Sequence, residues 1–126
     1  MSLILVSQPD PILRSVLCQR LTAEGHVTVM VPDGNSCMRA LNWNIPDLLI
    51  ADTQLPDLSS PELLHGMEVG GFGHLPKIML FGQGLQELRF RAAAKAIVSW
   101  LPKPVNLGDF SRLVARNLEQ NNAVAA

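Results

Sequence analysis

Short apolar runs alternate with helical stripes along the whole chain. The runs Leu3–Val6, Val27–Val31, Leu48–Ala51, Lys77–Phe81 and Ile97–Leu101 predict five strands. Leu48 to Ala51 is apolar without interruption, the pattern of a strand buried on both faces of a parallel sheet. In the first intervening segment, Ile12, Leu13, Val16, Leu17 and Leu21 recur at helical spacing. Asp10-Pro11 supplies an N-cap and a first-turn proline for that helix, and Gly25 suits its exit. Asp33-Gly34-Asn35-Ser36 opens a second helix that runs to about Trp43, and Ser59 with Glu62 at capping-box spacing opens a third. Gln86–Ala96 predicts a fourth. Asn106 caps a fifth that carries Phe110, Leu113, Val114 and Leu118. Strict strand–helix alternation with right-handed crossovers predicts an α/β fold, a doubly wound parallel five-stranded (βα)5 sheet. One domain is expected over 1–120, with a frayed tail over 121–126.

Composition narrows the function. The chain has 126 residues, 48% of them hydrophobic and 17% charged, enough for one core covered on both sides by helices. Ten Lys and Arg against eleven Asp and Glu give a net charge of −1, which argues against nucleic-acid binding by a basic face. No apolar run has the length of a membrane span or signal peptide, so a cytoplasmic protein is expected. Cys18 and Cys37 fall on separate helices without metal-ligand spacing, and His26, His65 and His74 form no cluster.

Candidate chemistry sits where the third strand stops. Asp52 follows the apolar run, and Pro56 prevents its continuation. In open parallel sheets, ligands bind outside the carboxyl ends of the strands. Asp52 is therefore either a functional carboxylate or a cap for the next loop.

Five segments in register resemble the receiver domain of bacterial response regulators. They are Leu3-Ile4-Leu5-Val6, Glu24-Gly25-His26, Asp33-Gly34, Pro46 to Asp52 with Leu55-Pro56, and Trp100-Leu101-Pro102-Lys103-Pro104. The resemblance implies a flavodoxin-like fold with no metabolic catalysis. It puts Asp52 at the phosphoacceptor position, Lys103 at the phosphoryl-contacting lysine and Trp100 at the switch aromatic, and implies a cis Lys103–Pro104 bond. Implied partners are a histidine kinase or phosphotransfer protein, and an output protein or second copy on the face of the fourth helix, fifth strand and fifth helix. Arg89, Arg91, Arg112 and Arg116 fall on those two helices.

Departures from the pattern are as informative. The two acids that hold Mg²⁺ with the phosphoacceptor read Ser7 and Gln8, and the switch Thr or Ser reads Phe81. Neutral oxygens do not supply the charge that draws in Mg²⁺, and a phenyl ring donates no hydrogen bond. Any Mg²⁺ site is expected to be weak, so a weakly phosphorylated or phosphorylation-independent interaction module is expected. Two alternatives stay open. One is a conventional Mg²⁺-dependent phospho-aspartate switch with Asp10 as substitute acid. The other is a flavodoxin-like ligand binder.

Overall fold

The computed structural model describes residues 2–82, 84 and 98–125. Among these, five strands and four helices follow the predicted order. They are β1 (Leu3–Ser7), α1 (Pro11–Ala23), β2 (Val27–Val31), α2 (Gly34–Trp43), β3 (Leu48–Asp52), α3 (Ser60–Val69), β4 (Lys77–Phe81), β5 (Val98–Pro102) and α4 (Leu107–Ala125). The predicted fourth helix, Gln86–Ala96, lies outside the described residues, so α4 is the fifth helix of the sequence pattern. All strands are parallel in the order β2-β1-β3-β4-β5, the doubly wound flavodoxin-like arrangement. The switch in winding falls between β1 and β3, so their carboxyl ends form the crevice this topology reserves for ligands.

Alternation along each strand builds two cores. Ile4, Val6, Leu48, Ile50, Ile78 and Leu80 face Leu17 and Leu21 of α1 and Phe110, Val114 and Leu118 of α4. Their neighbours Leu5, Leu49, Ala51 and Met79 face Cys37 and Leu41 of α2 and Leu63 and Met67 of α3. The predicted caps form. The Asp10 side chain accepts from the amides of Ile12 and Leu13, Ser59 and Glu62 make a reciprocal capping box, and Asn106 accepts from the Asp109 amide. Gly25 takes a positive φ of 89°.

Two details differ from the pattern. Ile12 and Val16 belong to the helical stripe of α1 but are 76% and 37% exposed, at a cleft between α1 and the Lys103–Val105 segment. The edge strand β2 exposes Val27, Val29 and Met30, although the sequence pattern predicts burial under helices on both faces. The last helix is assigned to Ala125. Lys77, counted within an apolar run, is 1% exposed, and its Nζ donates to the carbonyls of Phe72, Gly73 and Leu75. Burial pushes its pKa below the usual lysine value, against the pull of Glu68.

Candidate functional site

Asp52 ends β3 at the sheet's switch point, 3% exposed. Its carboxylate is fully engaged. Lys103 Nζ lies 3.1 Å from Oδ1 and 3.0 Å from Oδ2. The Gln54 amide donates to Oδ1 at 2.8 Å, and Gln8 Nε2 donates to Oδ2 at 3.0 Å. Lys103 arrives because its own amide donates to the Phe81 carbonyl, extending the β4–β5 ladder by one bond, and the bond to Pro104 is cis. A buried carboxylate with a cation and two neutral donors is well satisfied.

Gln8 is held as firmly as the acid it serves. It is 1% exposed, and its amide donates to the Val31 carbonyl. Its side-chain Oε1 accepts from the Asp10 amide, and its backbone carbonyl accepts from Arg14. The amide plane therefore has one usable orientation, with nitrogen toward Asp52. Ser7 turns its hydroxyl away and donates to the Asp33 carbonyl. Sequence reasoning offers Ser7 and Gln8 only as sources of neutral oxygen. The role it misses is Gln8 as donor, and the signal for it is that an amide can donate to a carboxylate where an acid would repel it.

The neighbouring acids are committed elsewhere. Asp10 caps α1. Asp33 accepts from the Ser36 amide, and Asp57 accepts from the amides of Gly34 and Asn35, so both serve the start of α2. These amide bonds, the Asn35 bond foremost, hold the Asp57 carboxyl below its usual range. Among the described residues, no three His, Cys, Asp or Glu side chains gather closely enough to hold a metal ion. One carboxylate, already bonded by an ammonium and an amide, does not match the oxygen-rich shell that Mg²⁺ requires.

At the switch positions, Phe81 and Trp100 pack edge to face with ring centroids 6.2 Å apart. Phe81 is 5% exposed. Ser60 at the entry of α3 donates to the Thr53 carbonyl and so ties the β3–α3 loop to that helix. The structure thus brings Asp52, Lys103 and Gln8 together. It sets Phe81 and Trp100 in a separate aromatic contact, and it leaves Asp10 on the helix cap. Arg89 and Arg91 lie outside the described residues.

An aspartate–lysine pair at the switch point of a 2-1-3-4-5 sheet is the arrangement of a receiver-type signalling domain. The chain belongs to the response regulator receiver domain family, whose model matches residues 4–115. The transcriptional regulatory protein KdpE of Mycobacterium tuberculosis is 26% identical over 125 residues, 99% of this chain and 54% of that protein. The chain therefore spans about half the length of that curated relative. An uncharacterized 14.6 kDa protein of Leptolyngbya boryana is 30% identical over 112 residues, 88% of this chain and 86% of that one. The crystal structure of NtrX from Brucella abortus superposes with a TM-score of 0.86 at 25% identity, covering 98% of this chain and 29% of that one. A receiver domain of the Francisella response regulator 1452 gives 0.85 at 19% identity over 95% of this chain and 98% of that one, a likeness of fold. The protein is thus a receiver domain of two-component signalling. Such domains work with histidine kinases and output domains and generally bind Mg²⁺ at an acidic pocket. No helix among the described residues is long and apolar enough to cross a membrane.

Proposed function

We infer that this receiver is a protein-interaction module of the cytoplasm whose output depends weakly or not at all on phosphorylation of Asp52. The observation that carries this reading is the hydrogen bond from Gln8 to the Asp52 carboxylate. Phosphoryl transfer to a carboxylate is mostly positioning and charge neutralisation, and a bridging cation normally supplies both. Here Lys103 alone neutralises Asp52, and the Gln8 amide stands on the oxygen that would have to attack or bind metal. An incoming phosphoryl group must break that bond and bring its own negative charge into a site without surplus positive charge.

The rival versions have less support. Asp10 cannot serve as substitute acid without releasing two helix amides. A phosphate-binding loop after β1, which a flavin binder would need, lacks free amides. Pro9 and Pro11 have none, Gln8 donates to Val31, and Asp10 donates to the Gln8 side chain. Contacts with a histidine kinase or phosphotransfer protein, and with an output protein or second copy over β5 and α4, are assigned here to docking rather than to phosphoryl chemistry.

Intact-mass measurement after incubation with Mg²⁺ and a small phosphodonor tests the reading. The expected spectrum shows little or no added phosphoryl mass. A stoichiometric gain that Asp52→Ala abolishes would establish a conventional switch instead.

A further inference from the structure

At the opposite edge of the sheet from β5, the chain leaves an apolar surface that the signalling site does not use. Trp43, the last residue of α2, is 89% exposed, and Ile45 just beyond it is 64% exposed. Beside them Val27 and Val29 of β2 are 48% and 39% exposed. Between α2 and the strands runs a groove of 340 Å³ lined by Leu3, Leu5, Val29, Ala40, Trp43 and Asn44. None of these six carries a charge. Knob and hole thus lie side by side on one surface, which is what a two-fold, self-complementary contact requires.

The strand itself points the same way. Val27 donates to the Ser2 carbonyl, and Val31 accepts from the Gln8 amide. By the alternation of a parallel ladder, Val27, Val29 and Val31 spend their backbone groups on β1, while Thr28 and Met30 turn theirs outward. The edge Val27-Thr28-Val29-Met30-Val31 carries no Lys, Pro or charge of the kind that normally blocks edge pairing. A two-fold axis at Val29 satisfies all of this at once. Thr28 then exchanges two hydrogen bonds with Met30 of the second copy, Met30 does the same with Thr28, and the two Val29 residues meet as the closer, non-bonded pair.

We propose that β2 and the end of α2 form a self-association surface, on which two copies join into one continuous sheet with each Trp43 seated in the other's groove. The occupant is a second copy because the surface offers both halves of the contact. An unrelated extended chain would satisfy the strand edge but leave Trp43 in water. Trp43, Ile45, Val27 and Val29, with Met30 on the α1 side of the same edge, leave on the order of 500 Å² of apolar surface exposed along this edge, at the upper end for a monomer. Two such faces reach roughly 1,000 Å², the lower bound of a specific interface, so the dimer is weak and concentration-dependent.

Sedimentation equilibrium on the full chain tests the proposal. The expected result is a monomer–dimer equilibrium that Trp43→Ala weakens by about tenfold or more, since a buried tryptophan anchors such contacts. Met30→Pro removes an outward amide without touching the β1 ladder and should give a folded monomer. Met30→Lys, an edge charge, is the companion should the proline variant fail to fold. A chain that stays monomeric at millimolar concentration overturns the proposal and leaves the edge to a different chain. A dimer that both Trp43→Ala and the Met30 variant leave intact also overturns it.

Discussion

Replacing Lys103 with methionine keeps most of the side-chain length and removes the charge. The ammonium sits 3.0 and 3.1 Å from the two oxygens of a carboxylate that is 3% exposed. Without it, Asp52 keeps only the Gln8 and Gln54 donors, both neutral. Stripping one partner from a buried pair costs about 3–5 kcal/mol. Lys103 is one-quarter exposed, and water can follow the missing cation, so the lower end, about 3 kcal/mol, applies. For a chain of this size that lowers Tm by roughly 10 °C. Asp52→Asn should cost only about 1 kcal/mol, because the freed ammonium can turn toward solvent. The double variant should resemble Asp52→Asn alone, a coupling well above the ~0.5 kcal/mol within which independent sites add. Urea unfolding followed by tryptophan emission and circular dichroism measures all four corners of the cycle. Additive costs, or a Lys103→Met variant within about 1 kcal/mol of wild type, would refute the pairing as the site's electrostatic balance.

Other consequences follow from the same contacts. Gln8→Asp sets a second carboxylate against Asp52, so the variant should be less stable in chelator and should regain Tm in millimolar Mg²⁺, while wild-type Tm stays unmoved; calorimetric scans with and without the ion decide. Lys77→Met leaves three carbonyls without their donor and should cost about 2 kcal/mol. Burial holds the folded-state pKa of Lys77 below the unfolded value, so between the two the unfolded chain binds more protons and stability contributed by this group rises with pH. Lys77→Met should flatten that alkaline slope in denaturation curves. The Cys37 thiol, pushed up to about 12 chiefly by burial, should resist thiol reagents until the chain unfolds, whereas the half-buried Cys18 reacts natively. A native thiol titration should therefore count one cysteine, and a denatured one two.

The fold was legible because each of its elements is specified locally as well as globally. Leu48–Ala51 announces a strand buried on both sides, and Asp10-Pro11, Ser59 with Glu62, and Asn106 announce helix starts. Each forms as its pattern predicts. What periodicity does not report is what lies opposite a stripe. Ile12 and Val16 share a helical face with Leu17 and Leu21, yet only the latter pair meets the sheet. Val27 and Val29 belong to an apolar run, and their position on the edge strand leaves them partly exposed. Both features concern covering, which depends on strand order and helix length rather than on residue type.

Asp52 and Lys103 meet as their sequence context pairs them, whereas Gln8 bonds in a way that residue type does not report. Residue type alone says that an acid is missing, and a missing acid reads as a hole in the electrostatics. The structure fills that hole, since an amide, unlike a second carboxylate, can point a donor at Asp52. Its oxygen is taken by the Asp10 amide, and Asp10 in turn holds the first turn of α1. The chain of contacts runs from helix cap to glutamine to aspartate to Lys103 and the β4–β5 ladder. A divalent cation normally joins those elements only when it is bound. Here side chains make the join: Gln8 and Lys103 both donate to Asp52, and the Asp10 amide donates to Gln8.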